Sequence, residues 1–435
     1  MAIGLKLSKL SLIDCTLAVK IFQDKKNNVA FIDVRDRKKY VQGFAFGAVN
    51  CPMDRFNSII SDLIPDKATY LILIGASTNI IKNINTILKQ HKFRKYHFIK
   101  GNYLAWKKAK LPMWAGEFTS SKAFGEWIEV TGNIKNMYPK QLKRLHGLNM
   151  HSVTQIDARP KIEYEKFTLP FSQQCSGGEL PALLNNKQYD KKTLIVHCAG
   201  RTRSIIAYQT LLDFNFSHKK YVLNGGTQNW VLHEYERAYQ KKSSIQKTNI
   251  NLKQDAKLAR QVQRKYKLPF VSQTRQVEQS HAFIIQSEIQ ANKKSAIWKS
   301  VNATTLVQST DKFIASTNTP IYIFSNIPTS AVFTVLWLRR LGYQAIWHQQ
   351  APKKNLTKKF CSKDFNDPTY FFPRRHKGSK QDAKGYLNWE HQLIPSMQKW
   401  GCSKPWYSIN YKNLQTIVHP MVKIYKKINY SIKII

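Results

Sequence analysis

The pattern of apolar residues near the middle of the chain predicts a strand, a loop and a helix. Residues 193–196 form a β-branched apolar run that ends at His197-Cys198. Residues 204–212 carry apolar side chains at helical spacing. Cys198 is therefore expected at the C-terminal edge of a strand, where ligands bind in open α/β sheets.

The loop between these two elements has the composition of an anion-binding nucleophile site. A helix N-terminus and nearby cations favour the thiolate, which is the reactive form of cysteine. A glycine lets the backbone curl so that successive N–H groups point at one anion. We predict Cys198 as the nucleophile and the residues after it as substrate-binding residues: Ala199, Gly200, Arg201, Thr202, Arg203 and Ser204.

The individual side chains of this loop carry separate expectations. Arg201 lies mid-loop and is expected to project over the mouth, whereas Arg203 abuts the helix and is expected also to tie the loop to the scaffold. His197 points to the opposite face of the strand, so a core role is favoured over base catalysis. The ligand suited to this loop is an oxyanion of sulfur, phosphorus or arsenic.

The spacing distinguishes two classes of enzyme. Four residues separate Cys198 from Arg203-Ser204, one fewer than in cysteine phosphatases of the tyrosine-phosphatase type. A tighter ring of N–H groups favours a small sulfane-sulfur donor over a tetrahedral phosphoester. The loop resembles the active loop of the rhodanese family of sulfurtransferases.

Three further motifs, in the family's order, strengthen this resemblance. They are Asp157-Ala158-Arg159 with Glu163-Tyr164, then Cys175-Ser176-Gly177-Gly178, then Gly225-Gly226 with Trp230. The resemblance implies ping-pong transfer of sulfane sulfur from thiosulfate or a similar donor to a thiol or cyanide, through a Cys198 persulfide and without a cofactor. Arg201, Arg203 and the loop N–H groups would bind the donor's oxygens.

Two other stretches repeat this organisation without its chemistry. Residues 31–40 repeat the opening motif, but the strand at 70–74 leads into Gly75-Ala76-Ser77-Thr78-Asn79, which contains no cysteine, and Asn102 replaces the second glycine of the closing motif. A weaker copy has a strand at 321–324, with Ser325 in the position of the nucleophile. Both copies are expected to be catalytically inactive.

These repeats predict an α/β protein of tandem rhodanese-like domains, each a mostly parallel sheet flanked by helices. The predicted divisions are an inactive domain at 1–116, the catalytic domain at 117–245, a helical connector at 246–272, a degenerate domain at 273–350 and a basic C-terminal tail with a helix at 351–435. Within the tail, residues 386–390 resemble the C-terminal helix of bacterial multidomain rhodanese-related sulfurtransferases.

Composition limits the class of protein. The hydrophobic content of 43% is that of a globular chain, and no stretch has the roughly 18 apolar residues of a membrane span. The first ten residues lack the apolar core and cleavage site of a signal peptide, so a cytoplasmic location is expected. The six cysteines form no CxxC pair, which indicates neither a zinc site nor a disulfide framework.

The net charge of +43 leaves a second function open. Such a balance is typical of proteins that contact nucleic acid or other polyanions. The lysines are scattered in pairs rather than concentrated in one arm, which favours compositional drift toward lysine. The alternative to the enzyme is therefore a non-catalytic rhodanese-like scaffold or a regulatory polyanion-binding module.

Overall fold

The computed structural model describes residues 11–23, 27–148, 150–185, 189, 192–239, 250–272, 277, 279–286, 298–351 and 379–399. Within them, three five-stranded sheets follow one another along the chain, and every strand pair inside these sheets is parallel. Their apolar central strands are buried on both faces, as parallel sheets require. The predicted α/β class with tandem, mostly parallel sheets is confirmed.

The first unit contains a sheet and a short antiparallel ribbon. Its elements are β1 (Leu12–Ile13), α1 (Cys15–Gln23), β2 (Val29–Asp33), α2 (Arg37–Gln42), β3 (Phe44–Ala45), β4 (Val49–Asn50), α3 (Phe56–Leu63), β5 (Tyr70–Ile74), α4 (Thr78–Gln90), β6 (Tyr96–Ile99), α5 (Asn102–Lys108) and β7 (Met113–Trp114). The sheet order is β1-β6-β5-β2-β4, and β3 pairs with β7.

The second unit has the same architecture, and β11 lies at the centre of its sheet. Its elements are α6 (Thr119–Thr131), β8 (Asn136–Met137), α7 (Pro139–His146), β9 (Val153–Asp157), α8 (Lys161–Tyr164), β10 (Ser172–Gln174), α9 (Leu180–Leu184), β11 (Thr193–His197), α10 (Thr202–Asp213), β12 (Lys220–Leu223) and α11 (Gly226–Leu232). The sheet order is β10-β9-β11-β12-β8. The predicted strand and helix on either side of Cys198 are β11 and α10.

The third unit begins within the segment predicted as a connector. Its elements are α12 (Leu252–Lys265), β13 (Phe270–Val271), β14 (His281–Gln286), β15 (Lys299–Asn302), α13 (Ala303–Gln308), β16 (Pro320–Phe324), α14 (Pro328–Arg340) and β17 (Gln344–His348). The strand order is β13-β17-β16-β14-β15. Because α12 packs on α14 and β13 pairs with β17, the segment contributes structure to this unit.

The second and third units share a hydrophobic core that surrounds α10. The indole N–H of Trp337 on α14 donates to Thr210 Oγ1 over 2.8 Å, and the Arg340 guanidinium binds the Asp213 carboxylate at 2.5 and 3.0 Å. Residues on all sides of α10 are buried, which is the pattern of a helix enclosed by protein. The third unit therefore holds the helix that follows Cys198.

Two tail helices pack on the first and second units. They are α15 (Lys380–His391), which contains the predicted tail helix, and α16 (Leu393–Lys399). The indole N–H of Trp389 donates to the Ala115 carbonyl over 3.0 Å, and Leu393 packs beside Trp114. Other predictions, on the first ten residues, Cys361, Cys402 and most of the basic tail, lie outside the described residues.

A helix that crosses a membrane must be both long and apolar. Across the ranges given above, no helix combines these two properties.

Candidate active site

The Cys198 loop connects the end of β11 to the start of α10. The backbone N–H groups of Thr227 and Gln228 donate to the carbonyls of Cys198 and Ala199, over 2.9 and 3.0 Å. In a trans peptide the N–H points opposite to the C=O. The N–H groups of Ala199 and Gly200 therefore point away from α11, which is the orientation that an anion nest needs.

Gly226 permits this close packing of α11 against the loop. Its φ is 51°, and a side-chain carbon at this position would overlap the carbonyl oxygens of Cys198 and Gly200. Asparagine also adopts positive φ, so the overlap, more than the backbone angle, restricts this position to glycine. The Gly-Gly motif of the sequence thus allows α11 to pack closely on the Cys198 loop.

The Cys198 side chain is enclosed by protein. The Cys198 side chain is 2% exposed, and its Sγ lies 3.4 Å from Ser204 Oγ, which donates to the Arg201 carbonyl over 3.0 Å. The methyl group of Thr202 packs against Gly125 on α6. Of the predicted substrate-binding residues, Ser204 thus has its side chain beside the sulfur, whereas the Thr202 side chain packs against α6.

Arg203 is anchored as predicted. Its guanidinium binds both oxygens of the Glu163 carboxylate at 2.5 and 2.9 Å. Burial opposes the charge, but Glu163, with contributions from Cys198 and Tyr386, raises the pKa of Arg203 above its usual range. The permanent positive charge of Arg203 thus lies within electrostatic reach of Cys198 and is tied to α8.

The prediction that Arg201 projects over the mouth is wrong. Arg201 Nε donates to Glu126 Oε1 over 2.7 Å, and the guanidinium also pairs with Glu129. Both carboxylates lie on α6, and Arg201 is 7% exposed. Two acidic side chains on the neighbouring helix attract the guanidinium away from the loop mouth, so Arg201 fastens the loop to α6.

His197 directly precedes Cys198 and is the last residue of β11. Its side chain is fully buried, and Nε2 lies 2.7 Å from Ser172 Oγ. Burial lowers the pKa of His197 to about 4, so the imidazole is neutral at neutral pH. The surroundings are those of a core residue, in accord with the role favoured by the sequence.

The Asp157–Arg159 pair braces the same end of the sheet. Asp157 lies opposite His197 in the register of β9 and β11. Arg159 Nη2 contacts Asp157 Oδ2 at 2.7 Å and donates to the Phe167 carbonyl over 2.5 Å. Burial opposes ionisation, but Arg159 holds the pKa of Asp157 below its usual value. This part of the opening motif connects β9 to the following loop.

The tail helix α15 covers the loop, which sequence reasoning missed. A side-chain carbon on Gly200 would lie 2.5 Å from Glu390 Oε2 and 2.7 Å from Tyr386 Cε1. Lys122 on α6 donates to Tyr386 OH and, over 2.6 Å, to Glu390 Oε1. The resemblance at residues 386–390 was the available signal, but nothing local in a sequence tells where a distant helix packs.

Cys175 and Cys51 occupy equivalent buried positions in the second and first units. The backbone N–H of Cys175 donates to the Asp157 carbonyl over 3.1 Å, and that of Cys51 donates to the Asp33 carbonyl over 2.9 Å. Burial raises the pKa of the Cys51 thiol well above its usual value. These contacts are those of packed thiols beside the opening motif.

In the second unit, Cys198 follows the central strand of a parallel sheet, in a backbone loop that leads into a helix. These features define an α/β domain with a cysteine loop at the edge of its sheet. Residues 18–109 and 139–233 match the model of the rhodanese-like domain. These two segments of the chain are therefore rhodanese-like domains.

The chain is also similar to solved structures. The chain is similar to a thiosulfate sulfurtransferase from Pseudomonas aeruginosa, with a TM-score of 0.71 and 19% identity over 80% of this chain and 68% of that one. It is also similar to the rhodanese-like domain of a protein from Anabaena sp., with 22% identity and a TM-score of 0.20 over 23% of this chain and 95% of that one. At 19% identity the first likeness establishes a shared fold. No curated protein matches the sequence.

Proposed function

We propose that this protein is a sulfurtransferase that carries sulfane sulfur on Cys198. The observation that supports it best is the Cys198 loop, in which the sulfur lies at the start of α10 and the N–H groups of Ala199 and Gly200 are turned away from α11. This arrangement suits a thiolate next to a small sulfur oxyanion. Thiosulfate or a similar donor is the proposed substrate.

The proposed reaction has two half-reactions. The Cys198 thiolate attacks the sulfane sulfur of thiosulfate, the bond between the two sulfur atoms of the donor breaks, and its electron pair leaves with sulfite. The loop N–H groups and the Arg203 charge stabilise the departing anion. A thiol, or cyanide in the assay, then removes the outer sulfur and regenerates the thiolate.

Steady-state formation of thiocyanate from thiosulfate and cyanide tests this proposal. Replacing Cys198 by Ser keeps the volume but removes the persulfide carrier, so turnover should fall to background. The matched control is Cys175→Ser, because Cys175 is a second buried thiol of the same unit. Equal activity of the wild type and Cys198→Ser would contradict the proposal.

The phosphatase class is tested on the same loop. The ring is one residue shorter than the phosphatase frame, so turnover of an aryl phosphate should be negligible. Hydrolysis of such a substrate that disappears in Cys198→Ser would assign the site to phosphoester chemistry instead.

Polyanion binding is the second candidate function, and α12 supplies the observation in its favour. Its exposed residues include Lys253, Lys257, Arg260 and Arg264 at helical spacing, while Asp255 on the same helix is buried and bonded to Thr329. Four positive charges along one helix are able to bind the phosphates of a nucleic-acid backbone. RNA affinity that falls steeply with salt, and that weakens when these four residues become Gln, would support this function; a flat salt dependence would oppose it.

A further inference from the structure

The side of the Cys198 loop that faces α15 contains an unusual carboxylate. Glu390 is fully buried, and its Oε1 accepts hydrogen bonds from Lys122 Nζ over 2.6 Å and from Tyr386 OH over 2.8 Å. Its other oxygen, Oε2, has no hydrogen-bond partner among the residues that the structure describes. A buried polar atom left without a partner is costly, so such an atom calls for an explanation.

The position of Oε2 relates it to the nucleophile loop. It would lie 2.5 Å from a side-chain carbon at Gly200, two residues after Cys198. The Tyr386 ring approaches the same glycine, and the Arg203 guanidinium is within electrostatic reach of both Cys198 and Tyr386. Glu390 Oε2 therefore faces the loop that binds the transferred sulfur.

A carboxylate at this place does not suit the anionic donor. Thiosulfate and sulfite carry negative charge, and a nearby carboxylate repels them. A neutral thiol, in contrast, has a proton that must leave before its sulfur becomes a nucleophile. A carboxylate oxygen without a partner is able to accept that proton.

We propose that Glu390 is the general base of the second half-reaction and that the natural acceptor is a thiol. This inference rests on the proposed sulfurtransferase function. Oε2 takes the proton of the acceptor thiol, and the resulting thiolate attacks the outer sulfur of the protonated Cys198 persulfide. The persulfide S–S bond breaks, its electron pair stays on Cys198 Sγ, the acceptor leaves as a persulfide, and Glu390 returns its proton to water.

The neighbours of Glu390 fit this role. The Lys122 ammonium and the Tyr386 hydroxyl both bind Oε1, which orients the carboxylate and leaves Oε2 directed at the loop. Glu126 on α6 and His391 on α15 also interact electrostatically with Glu390, and both interact with Arg201. Because burial raises the pKa of Glu126 to about 7, rates of different variants must be compared at one slightly alkaline pH.

The test separates the two half-reactions in a stopped-flow experiment on the full chain. Wild type and Glu390→Gln are loaded with thiosulfate, freed of excess donor and mixed with 2-mercaptoethanol, with sulfite or with a fully ionised arylthiol. Discharge of Glu390→Gln to 2-mercaptoethanol should be slower by at least about 100-fold, a typical loss for a general base. Discharge to sulfite or to the ionised arylthiol should be unchanged or faster. The matched control is Glu117→Gln, a buried carboxylate that pairs with Arg37 in the first unit.

The outcomes distinguish the two proposals. Wild-type protein that takes up no sulfur contradicts the sulfurtransferase function itself. If the wild type takes up sulfur, two results would contradict the role of Glu390. One is discharge of Glu390→Gln to 2-mercaptoethanol at the wild-type rate, and the other is an equal decrease of its discharge rate with all three acceptors. Should Glu390→Gln fail to fold, the wild type alone tests the proposal with a series of acceptor thiols of different acidity. The discharge rate should vary little with the fraction of the thiol that is ionised in solution. Rates proportional to that fraction would contradict the proposal.

Discussion

The first and second units share a sheet and a brace but differ in the loop that the brace supports. The Asp33–Arg35 pair of the first unit, at 2.6 Å, corresponds to Asp157–Arg159 of the second, at 2.7 Å. In both units the aspartate ends a strand that pairs with the strand before the loop. The same sheet and the same Asp–Arg brace are thus present in both units.

The difference lies in how each loop is held. In the first unit the Asn102 amide donates to the Ala76 carbonyl over 2.7 Å and accepts from the Gly75 N–H over 2.9 Å. Asn102 has a φ of 49°, close to the 51° of Gly226, which takes its place in the closing motif of the second unit. The Asn102 side chain therefore stabilises the first-unit loop, which has no cysteine. In the second unit, the absence of a side chain at Gly226 leaves room for the Cys198 loop.

Importing the residue of the first unit into the second should have the largest effect. In Gly226→Asn the new side chain overlaps the carbonyls of Cys198 and Gly200, so the loop must move. A misplacement of reacting groups by about 1 Å costs about 100-fold in turnover, so we expect a loss of at least that size. Thiocyanate formation measures it, with Gly385→Asn on α15 as the control, because a side-chain carbon there meets nothing within 4 Å. Wild-type turnover in Gly226→Asn would show that the close packing of α11 is dispensable.

Arg201 has no counterpart among Gly75 to Asn79 of the first unit. Arg201→Ala would leave the Glu126 and Glu129 carboxylates beside an empty site, which should cost about 3–5 kcal/mol of stability. Urea denaturation measures this loss, and adding Glu126→Gln should recover part of it. Lys39→Ala, which breaks an exposed pair with Asp36, is the control and should be nearly neutral. A stable Arg201→Ala variant with a raised KM for thiosulfate would instead place Arg201 at the mouth.

His197 and Ile74 occupy the same register position, each opposite the aspartate of its brace. Because burial lowers the pKa of His197 from 6.5 to about 4, the unfolded chain takes up a proton in this range that the folded protein does not. The free energy of unfolding should therefore fall by up to about 3 kcal/mol, because of His197, as the pH falls from 6.5 to about 4. His197→Ile should lose less stability than wild type over that range in urea denaturation; parallel pH profiles would contradict this.

The smallest effect is expected from Asn102→Gly, the reverse exchange. It removes two hydrogen bonds from the first-unit loop but relieves a positive φ, so a net loss of about 1 kcal/mol is expected. Thiocyanate formation should stay at the wild-type rate because this loop contains no cysteine that could carry the sulfur. Reduced turnover in Asn102→Gly would show that the first unit takes part in transfer.

Local patterns in the sequence predicted the parts of this structure that depend on neighbours along the chain. The β-branched run before Cys198 and the apolar spacing after it predict β11 and α10, and the motifs around Asp157 and Gly226 predict the repeated unit. The direction of Arg201 and the cover by α15 depend on residues far away in sequence. Neither the Glu126 carboxylate nor Glu390 has a local pattern that connects it to the loop, so these contacts emerge only in three dimensions.

The location of the transferred sulfur tests the central claim most directly. The protein is treated with thiosulfate, alkylated and digested, and the peptides that contain Cys51, Cys175 and Cys198 are measured by mass spectrometry. We predict a gain of one sulfur on the Cys198 peptide, removed by cyanide, and no gain on the other two. Sulfur on Cys51 or Cys175, or on none of the three, would contradict the account of one active loop in the second unit.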